Sequence, residues 1–385
     1  MKLIKIILTI ICFGASSFLT EGKDSLMFHN VSHRITGEFR PAYNMPTHGY
    51  YRGYNETDTP VSSGCAAHLK YGFRLNPDSH YGRLYPTAYQ GIGIGLQSFL
   101  QHDMIGTPLL LYVFQGGQIA QWAKKISLGY EWNLGASYGW RINKVVSSRW
   151  NVYINIAMPL TWHISSLWEV SLAPEYTHFS NGDTSFPNGG ANTIGCRIGL
   201  TARINEHKSP EAPGKALVSK DVTLAESSFP QRMSYDLAVF GGWRADRTVT
   251  DKGLQVANEV FPTAGLNFNA LYHLNRYFCA GAAIDLLYDR SADISIDEGI
   301  RYPEVHRQLS CGLSVNAELT MPFFSVNVGA GYAFSQGHDM KGFYSRYTLK
   351  TFITKNLFLN IGYRLSSVLY SHNLMLGIGV RFKSL

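Results

Sequence analysis

The stretch "WNVYINIAMPL" at residues 150–160 decides the fold, because apolar and polar side chains alternate along its length. One face carries Trp150, Val152, Ile154, Ile156, Met158 and Leu160, and the other carries Asn151, Tyr153, Asn155 and Ala157. Successive side chains of a β-strand point to opposite sides. The stretch therefore predicts a strand with one apolar face and one largely polar face.

The same alternation recurs along most of the chain, for example in "AAHLKYGFRL" (66–75) and "LMLGIGVRF" (374–382). It predicts strands at 34–43, 66–76, 88–98, 107–116, 125–139, 150–162, 166–179, 191–203, 233–243, 262–274, 277–289, 306–319, 322–335, 342–353, 356–366 and 372–383. Repeated segments of this kind are typical of an antiparallel transmembrane β-barrel, whose wall meets lipid outside and a polar lumen inside. The predicted fold class is all-β, with about 16 strands in total.

Composition agrees with this fold class. Charged residues make up 16% of the 385 residues, whereas hydrophobic residues make up 45% and aromatic residues 13%. Soluble domains average about 25% charged residues. Beyond the N-terminus no run of about 18 apolar residues exists, so no transmembrane helix is expected. The alternative is a large soluble all-β protein.

The N-terminal residues 1–17 read as a secretory signal peptide. Lys2 and Lys5 precede an apolar stretch, and Ala15 and Ser17 form a small-x-small exit. A lipoprotein signal needs a small residue before Cys12, where Ile11 stands, so lipidation is not expected. The sequence thus predicts an exported protein.

A polar stretch without periodicity, residues 206–232, separates two halves with similar numbers of strands. The predicted organisation is a first barrel half at 18–205, a linker at 206–232 and a second β-barrel half at 233–385. One large barrel and an eight-stranded barrel with a second barrel half both fit. An open sheet edge is excluded in lipid, so whatever forms must close.

Other motifs predict no further chemistry. Cys65, Cys196, Cys279 and Cys311 lack metal-like spacing, so we interpret them as unpaired and expect no metal or other cofactor. The formal net charge of +7 fits an anionic membrane surface, but no Lys/Arg cluster suggests nucleic acid. No helix follows the glycine-rich "GIGIGLQS" (91–98), so it is interpreted as a strand rather than a nucleotide-binding loop.

The stretch "APEYTHFSNGD" (173–183) holds the candidate site. Leu172, Pro174 and Tyr176 lie on the apolar face, and His178 and Ser180 continue that face in register. Barrels of this kind start in the periplasm, so this seventh predicted strand ends at the outer surface. The next strand returns Asn192 on the same face and at the same height. Polar groups at this position form either a reactive site or a polar girdle at the rim.

The residue types fit ester hydrolysis. A serine hydroxyl becomes nucleophilic when a neighbouring imidazole takes its proton, and a third group orients the imidazole. The amide of Asn181, or backbone N–H groups of the glycine-rich loop, would hold the oxyanion. Because the predicted site faces lipid, its substrate would be an ester in the outer leaflet.

At these residues the sequence resembles the lipid A 3-O-deacylases, which are also grouped as acyloxyacyl hydrolases. The stretch "THFSNGDTSFPNGGANTIGCRIGL" is similar to their pattern His-x-Ser-Asn … Pro-Asn-x-Gly-x-Asn … Gly-x-Arg, and the resemblance covers about residues 85–205. It implies an outer-membrane β-barrel that removes an ester-linked acyl chain from lipid A. It further implies that His178 is the general base, Ser180 the nucleophile and Asn181 part of the oxyanion site.

One position departs from the family pattern. The family has a glutamate orienting the histidine about where Asn192 falls. An asparagine can accept a hydrogen bond from the imidazole but cannot offset its charge. Asp183 could supply a carboxylate from the loop, whereas parity sends Glu175 to the lumen.

The sequence therefore predicts a serine esterase of the Gram-negative outer membrane. Its partners would be lipid A or lipopolysaccharide in the outer leaflet, with no cofactor. The alternative is a non-catalytic, porin-like or structural barrel.

Overall fold

The structure is a computed structural model and describes residues 31–122, 125–205, 232–250, 253–296, 299–354, 356–366 and 372–383. The chain divides into two compact units. Each contains a closed, eight-stranded antiparallel β-barrel, so the predicted fold class is confirmed. Of the two arrangements that the sequence left open, the structure has two barrels rather than one large barrel.

The first barrel is built from β1 (Ser32–Asn44), β2 (Ser63–Arg74), β3 (Tyr89–Ser98), β4 (Gly106–Trp122), β5 (Ile126–Trp140), β6 (Trp150–Ala157), β7 (Leu160–His163), β8 (Trp168–Ser180) and β9 (Ala191–Ile204). Apart from β6 and β7, strands that follow one another pair antiparallel, and pairing of β1 with β9 closes the wall. Both β6 and β7 lie between β5 and β8, so together they fill one of eight wall positions.

The predicted strand 150–162 is thus interrupted in the structure. The break falls at Met158 and Pro159, and proline has no N–H to donate to a ladder. Met158 donates its N–H to the carbonyl of Pro174 at 3.2 Å, and the Pro159 carbonyl accepts from Gly129 at 2.8 Å. These bonds join the break to both neighbouring strands.

The second unit contains β10 (Met233–Thr250), β11 (Gly253–His273), β12 (Phe278–Asp289), β13 (Ser295–Ile296), β14 (Ile300–Arg301), β15 (Leu309–Thr320), β16 (Phe324–Phe334), β17 (Gly342–Phe352), β18 (Leu357–Ser366) and β19 (His372–Lys383). The closed barrel uses these strands except β13 and β14, which form a separate two-stranded sheet. Two of these strands are much longer than predicted. Beyond the part that contacts their other neighbours, β10 and β11 continue as a hairpin to the pair Thr250 and Gly253.

Short helices occupy some of the connections. Gly49–Arg52 and Val305–Gln308 are 3-10 helices, and α1 (His80–Leu84) and α2 (His102–Ile105) are single α-helical turns. No helix within the described ranges has the length and apolar character required to cross a membrane.

The two faces of the strands have opposite character. Outward side chains such as Leu172 and Ile198 are 51% and 48% exposed. Their neighbours along each strand, such as Ala173 and Arg197, point inward and are buried. Inside the first barrel, the ammonium of Lys70 lies 2.9 Å from Oε1 of Glu38 and 2.5 Å from Oε1 of Glu131. Apolar outside and charged inside is the arrangement of a barrel wall in lipid.

The second barrel has its own buried ion network. Nζ of Lys350 lies 2.6 Å from Asp236 and 2.5 Å from Glu318, and Arg381 pairs with the same two carboxylates. Buried charges are tolerated when they are paired and hydrogen-bonded. The network therefore places mutually neutralising groups in the interior of this barrel.

Four further predictions concern the signal peptide, the linker, the glycine-rich stretch and the cysteines. The predicted signal peptide and residues 206–231 of the predicted linker lie outside the described residues, so the domain boundaries stay a prediction. The stretch 91–98 lies in β3 and is a strand. Cys65, Cys196, Cys279 and Cys311 are free thiols.

Candidate functional site

The candidate site lies where β8 ends and β9 begins, at what we call the loop end of the first barrel. The two strands pair antiparallel with His178 directly opposite Asn192. On β8, Glu175, Thr177 and Phe179 are buried inward. The half-buried side chains of His178, Ser180 and Asn192 follow the opposite parity and lie on the outward, apolar wall.

The imidazole of His178 and the amide of Asn192 are in contact. Nδ1 of His178 lies 2.7 Å from Oδ1 of Asn192. An amide oxygen only accepts, so this bond places the proton on Nδ1. In the neutral imidazole Nε2 is then the unprotonated nitrogen, which is the form that a general base requires.

Ser180 shares this face but is not bonded to the imidazole. Two residues apart on one strand face corresponds to about 7 Å between Cβ atoms, which is within reach of the two side chains. Within the described part of the chain, the Ser180 hydroxyl forms no hydrogen bond. Catalytic hydrogen bonds are often longer without substrate and tighten in the complex.

The surroundings of Ser180 differ on its two sides. On β6, Val152 pairs with Ser180 and Ile154 pairs with His178, so an aliphatic surface borders the hydroxyl. Continuing the β8–β9 register places Gly190, which has no side chain, on the opposite side. One flank of Ser180 is therefore aliphatic, and the other flank carries no side chain.

Gly190 is held in a conformation that few other residues adopt. Its φ is +57°, and a Cβ built there would lie 2.6 Å from the carbonyl oxygen of Phe179. The carbonyl of Gly190 accepts a hydrogen bond from the hydroxyl of Tyr51 at 2.6 Å. Burial raises the pKa of Tyr51, so this hydroxyl stays protonated and donates. These contacts fix the backbone beside Ser180.

We expect Gly190→Ala to lower the rate of reactions at Ser180. The new Cβ would force the Phe179 carbonyl to move, and left-handed strain costs about 1–3 kcal/mol. The measurement is labelling of Ser180 by a fluorophosphonate together with thermal unfolding. Gly37→Ala is the matched control, because a Cβ there meets nothing within 4 Å. Equal labelling of both variants would contradict this expectation.

Asn181, the predicted oxyanion residue, is 5% exposed and bonded to loops. Its backbone N–H donates to Oδ1 of Asn188 at 3.1 Å, and its Nδ2 donates to Oγ of Ser147 at 3.1 Å. The loop that follows is bonded to the same segment, since Gly189 donates to the carbonyl of Val145. An oxyanion role for Asn181 stays a prediction.

The two carboxylates near the motif lie in different places. Asp183 follows β8 in the loop with a left-handed φ of 59°, and its role as an acid stays a prediction. Glu175 points inward, where it accepts from Nδ2 of Asn155 at 3.1 Å and lies 3.5 Å from Arg40. The imidazole partner in the structure is therefore the Asn192 amide.

Behind the site the barrel interior is tightly packed. Phe179, on the inward face between His178 and Ser180, contacts Trp140 and Tyr153 with ring centroids 5.0 and 5.5 Å apart. Phe99 packs against Trp140 and Phe179, and all four aromatic rings are buried. Such packing leaves His178 and Ser180 accessible from the outer wall rather than from the lumen.

Sequence reasoning missed two neighbours of Asn192. The Tyr176 hydroxyl donates to Oδ1 of Asn192 at 2.6 Å, and Nδ2 of Asn192 donates to Oγ1 of Thr47 at 3.4 Å. Tyr176 was identifiable from the alternation, because it precedes His178 by two residues and so lies on the same face. Thr47 was not, because it lies in the loop after β1.

Fold and site together define a class: outer-membrane-type β-barrels that carry a serine, an imidazole and an amide on the outward wall. Residues 233–384 match the family described as acyloxyacyl hydrolase, C-terminal domain. This match covers the second barrel and less than half of the chain. The matched family is the one that the motif of the first barrel resembles, although that motif lies outside the matched residues.

Other comparisons add only loose likenesses. The outer membrane protein Ail of Yersinia pestis is 18% identical, covering 39% of this chain and 99% of its own, with a TM-score of 0.24. The KdgM porin is 7% identical over 77% of this chain and 98% of its own, with a TM-score of 0.19. The COG4313 channel of Pseudomonas putida F1 is 10% identical over 94% and 98%, also at 0.19. Scores this low carry no functional argument. A search of curated proteins gives no match.

Proposed function

We propose that the first barrel is a serine esterase of the Gram-negative outer membrane. Its substrate is an ester-linked acyl chain of lipid A, or of a related glycolipid in the outer leaflet. The observation that carries the proposal is the 2.7 Å contact between His178 and Asn192 on the outward wall, beside Ser180. The match of residues 233–384 to an acyloxyacyl hydrolase domain supports it.

The proposed reaction proceeds in two steps. Ser180 Oγ attacks the acyl carbonyl while Nε2 of His178 takes the hydroxyl proton. His178 then delivers this proton to the sugar oxygen as the ester bond breaks, leaving the acyl group on Ser180. In the second step His178 takes a proton from water, the hydroxide attacks the acyl-enzyme, and the proton returns to Oγ as the fatty acid leaves.

The surroundings of the site fit a lipid substrate. Val152 and Ile154 border the hydroxyl on the outward wall, so an acyl chain can lie against β6 without leaving the hydrocarbon. At the loop end the exposed cations Arg141, Lys144 and Arg149 belong to the β5–β6 loop. Cations near the membrane surface attract anionic head groups. These features favour a substrate with an apolar chain and an anionic head.

The porin-like alternative fits the barrel interiors less well. Within the described residues, the aromatic cluster around Phe179 and the ions around Glu131 lie inside the first barrel. The Glu318 network fills part of the second. A water-filled channel needs an open lumen, and these side chains project into the lumen and narrow it.

The test is mass spectrometry of lipid A from Gram-negative cells that express the wild-type chain or Ser180→Ala. We expect the wild type to remove one acyl chain and Ser180→Ala to leave lipid A intact. Ser63→Ala is the control, because Ser63 is an exposed serine that begins β2 at the same loop end. Identical acylation in cells with and without the wild-type chain would refute the proposal for lipid A.

A further inference from the structure

One oxygen of the candidate site receives two hydrogen bonds. Oδ1 of Asn192 accepts from the Tyr176 hydroxyl at 2.6 Å and from Nδ1 of His178 at 2.7 Å. The backbone at Asn192 is also fixed, since its carbonyl accepts from the N–H of Met45 at 2.8 Å. The amide is therefore held both by its backbone and by its side chain.

The orientation of this amide decides whether His178 can act as a base. With Oδ1 toward the imidazole, Nδ1 keeps the proton and Nε2 is free to accept one. With Nδ2 toward the imidazole, Nδ1 becomes the acceptor and the proton sits on Nε2. The wrong tautomer in a serine hydrolase lowers kcat by about 10⁴.

The contacts of Asn192 select the productive orientation. A phenol hydroxyl is a better donor than acceptor, so Tyr176 favours the amide oxygen on its side. On the other side, Oγ1 of Thr47 lies 3.4 Å from Nδ2 and accepts from it. A carboxylate has two equivalent oxygens and needs no such selection.

We infer that Tyr176 is a positioning residue of the esterase, which keeps Oδ1 of Asn192 toward His178 and thereby keeps Nε2 unprotonated. The inference rests on the proposed function of Ser180 and His178. The Tyr176 hydroxyl donates as a neutral phenol, so it orients the amide oxygen and adds no negative charge to the site. Its contribution is therefore that of one neutral hydrogen bond, about fivefold in kcat.

The experiment is a double-mutant cycle between Tyr176→Phe and Asn192→Asp. Fatty acid release from lipid A in mixed micelles and fluorophosphonate labelling of Ser180 are both measured. We expect Tyr176→Phe to lower kcat about fivefold with KM unchanged. In the Asn192→Asp background we expect Tyr176→Phe to change kcat less than twofold, because a carboxylate cannot present a donor to the imidazole.

Tyr43→Phe is the matched control, because Tyr43 is also an outward tyrosine near the loop end and its hydroxyl has no hydrogen bond among the described residues. If Tyr176→Phe behaves like Tyr43→Phe while the wild type is active, Tyr176 is not a positioning residue and the esterase proposal stands. If Tyr176→Phe lowers kcat by the same factor in the wild-type and in the Asn192→Asp background, the role of Tyr176 is structural. That result also overturns the inference. If the wild type neither labels nor releases fatty acid, both proposals fail.

Discussion

Ser180→Ala, His178→Ala and the double variant are expected to lower kcat for acyl release by about the same factor, on the order of 10⁴ or more. The nucleophile and its base act as one unit, so removing either abolishes the activated hydroxyl. Removing the second then costs little more. The shared outward face of the two residues is the structural reason to expect this behaviour.

The measurement is single-turnover release of fatty acid by the purified, detergent-solubilised chain, with a folding check by heat-modifiable mobility in gels. His102→Ala is the control for His178, since His102 is an exposed histidine of α2 bonded to Thr107. Losses that multiply in the double variant would show that Ser180 and His178 act separately. The proposed proton transfer would then be wrong.

Glu318→Ala is expected to destabilise the second barrel by about 3–5 kcal/mol. The Glu318 side chain is 0% exposed and accepts from Lys350 and Arg381, each at 2.5 Å. Without it two buried cations share the single carboxylate of Asp236. An uncompensated buried charge is costly in a low-dielectric interior.

The measurement is equilibrium unfolding of the solubilised chain in urea, followed by tryptophan fluorescence and mobility in gels. Glu304→Ala is the matched control, because Glu304 is 82% exposed and its pair with His306 should contribute at most about 1 kcal/mol. A Glu318→Ala midpoint that equals the Glu304→Ala midpoint would show that the network contributes little to stability. Glu318→Gln removes the charge but keeps the side-chain volume, so it separates their contributions to the free energy of unfolding.

Sequence periodicity was enough to predict the sixteen wall strands, since each predicted segment overlaps a strand of one of the two barrels. It could not choose between one barrel and two, because alternation reports which face a residue occupies and not which strand closes the sheet. The pairings of β1 with β9 and of β10 with β19 are non-local. Boundaries failed where a local break intervened, as at Pro159.

The orientation of the candidate residues was predictable to the same degree. Parity on β8 and β9 placed His178, Ser180 and Asn192 on the outward wall, and the structure places them there. The Tyr176 bond to Asn192 was not predictable, because the length of the tyrosine side chain carries its hydroxyl diagonally across the strand pair. The bonds of Asn181 also depend on the β5–β6 loop, whose path no periodicity reveals.

The packed aromatic layer behind Phe179 has a kinetic consequence for a protein with the proposed activity. With Ser180 on the outward wall, encounters with the proposed substrate would occur by lateral diffusion within a membrane leaflet. The rate then follows the mole fraction of the ester among surrounding lipids, not the amount in bulk solution. Adding inert detergent at a fixed amount of substrate should slow turnover by surface dilution alone.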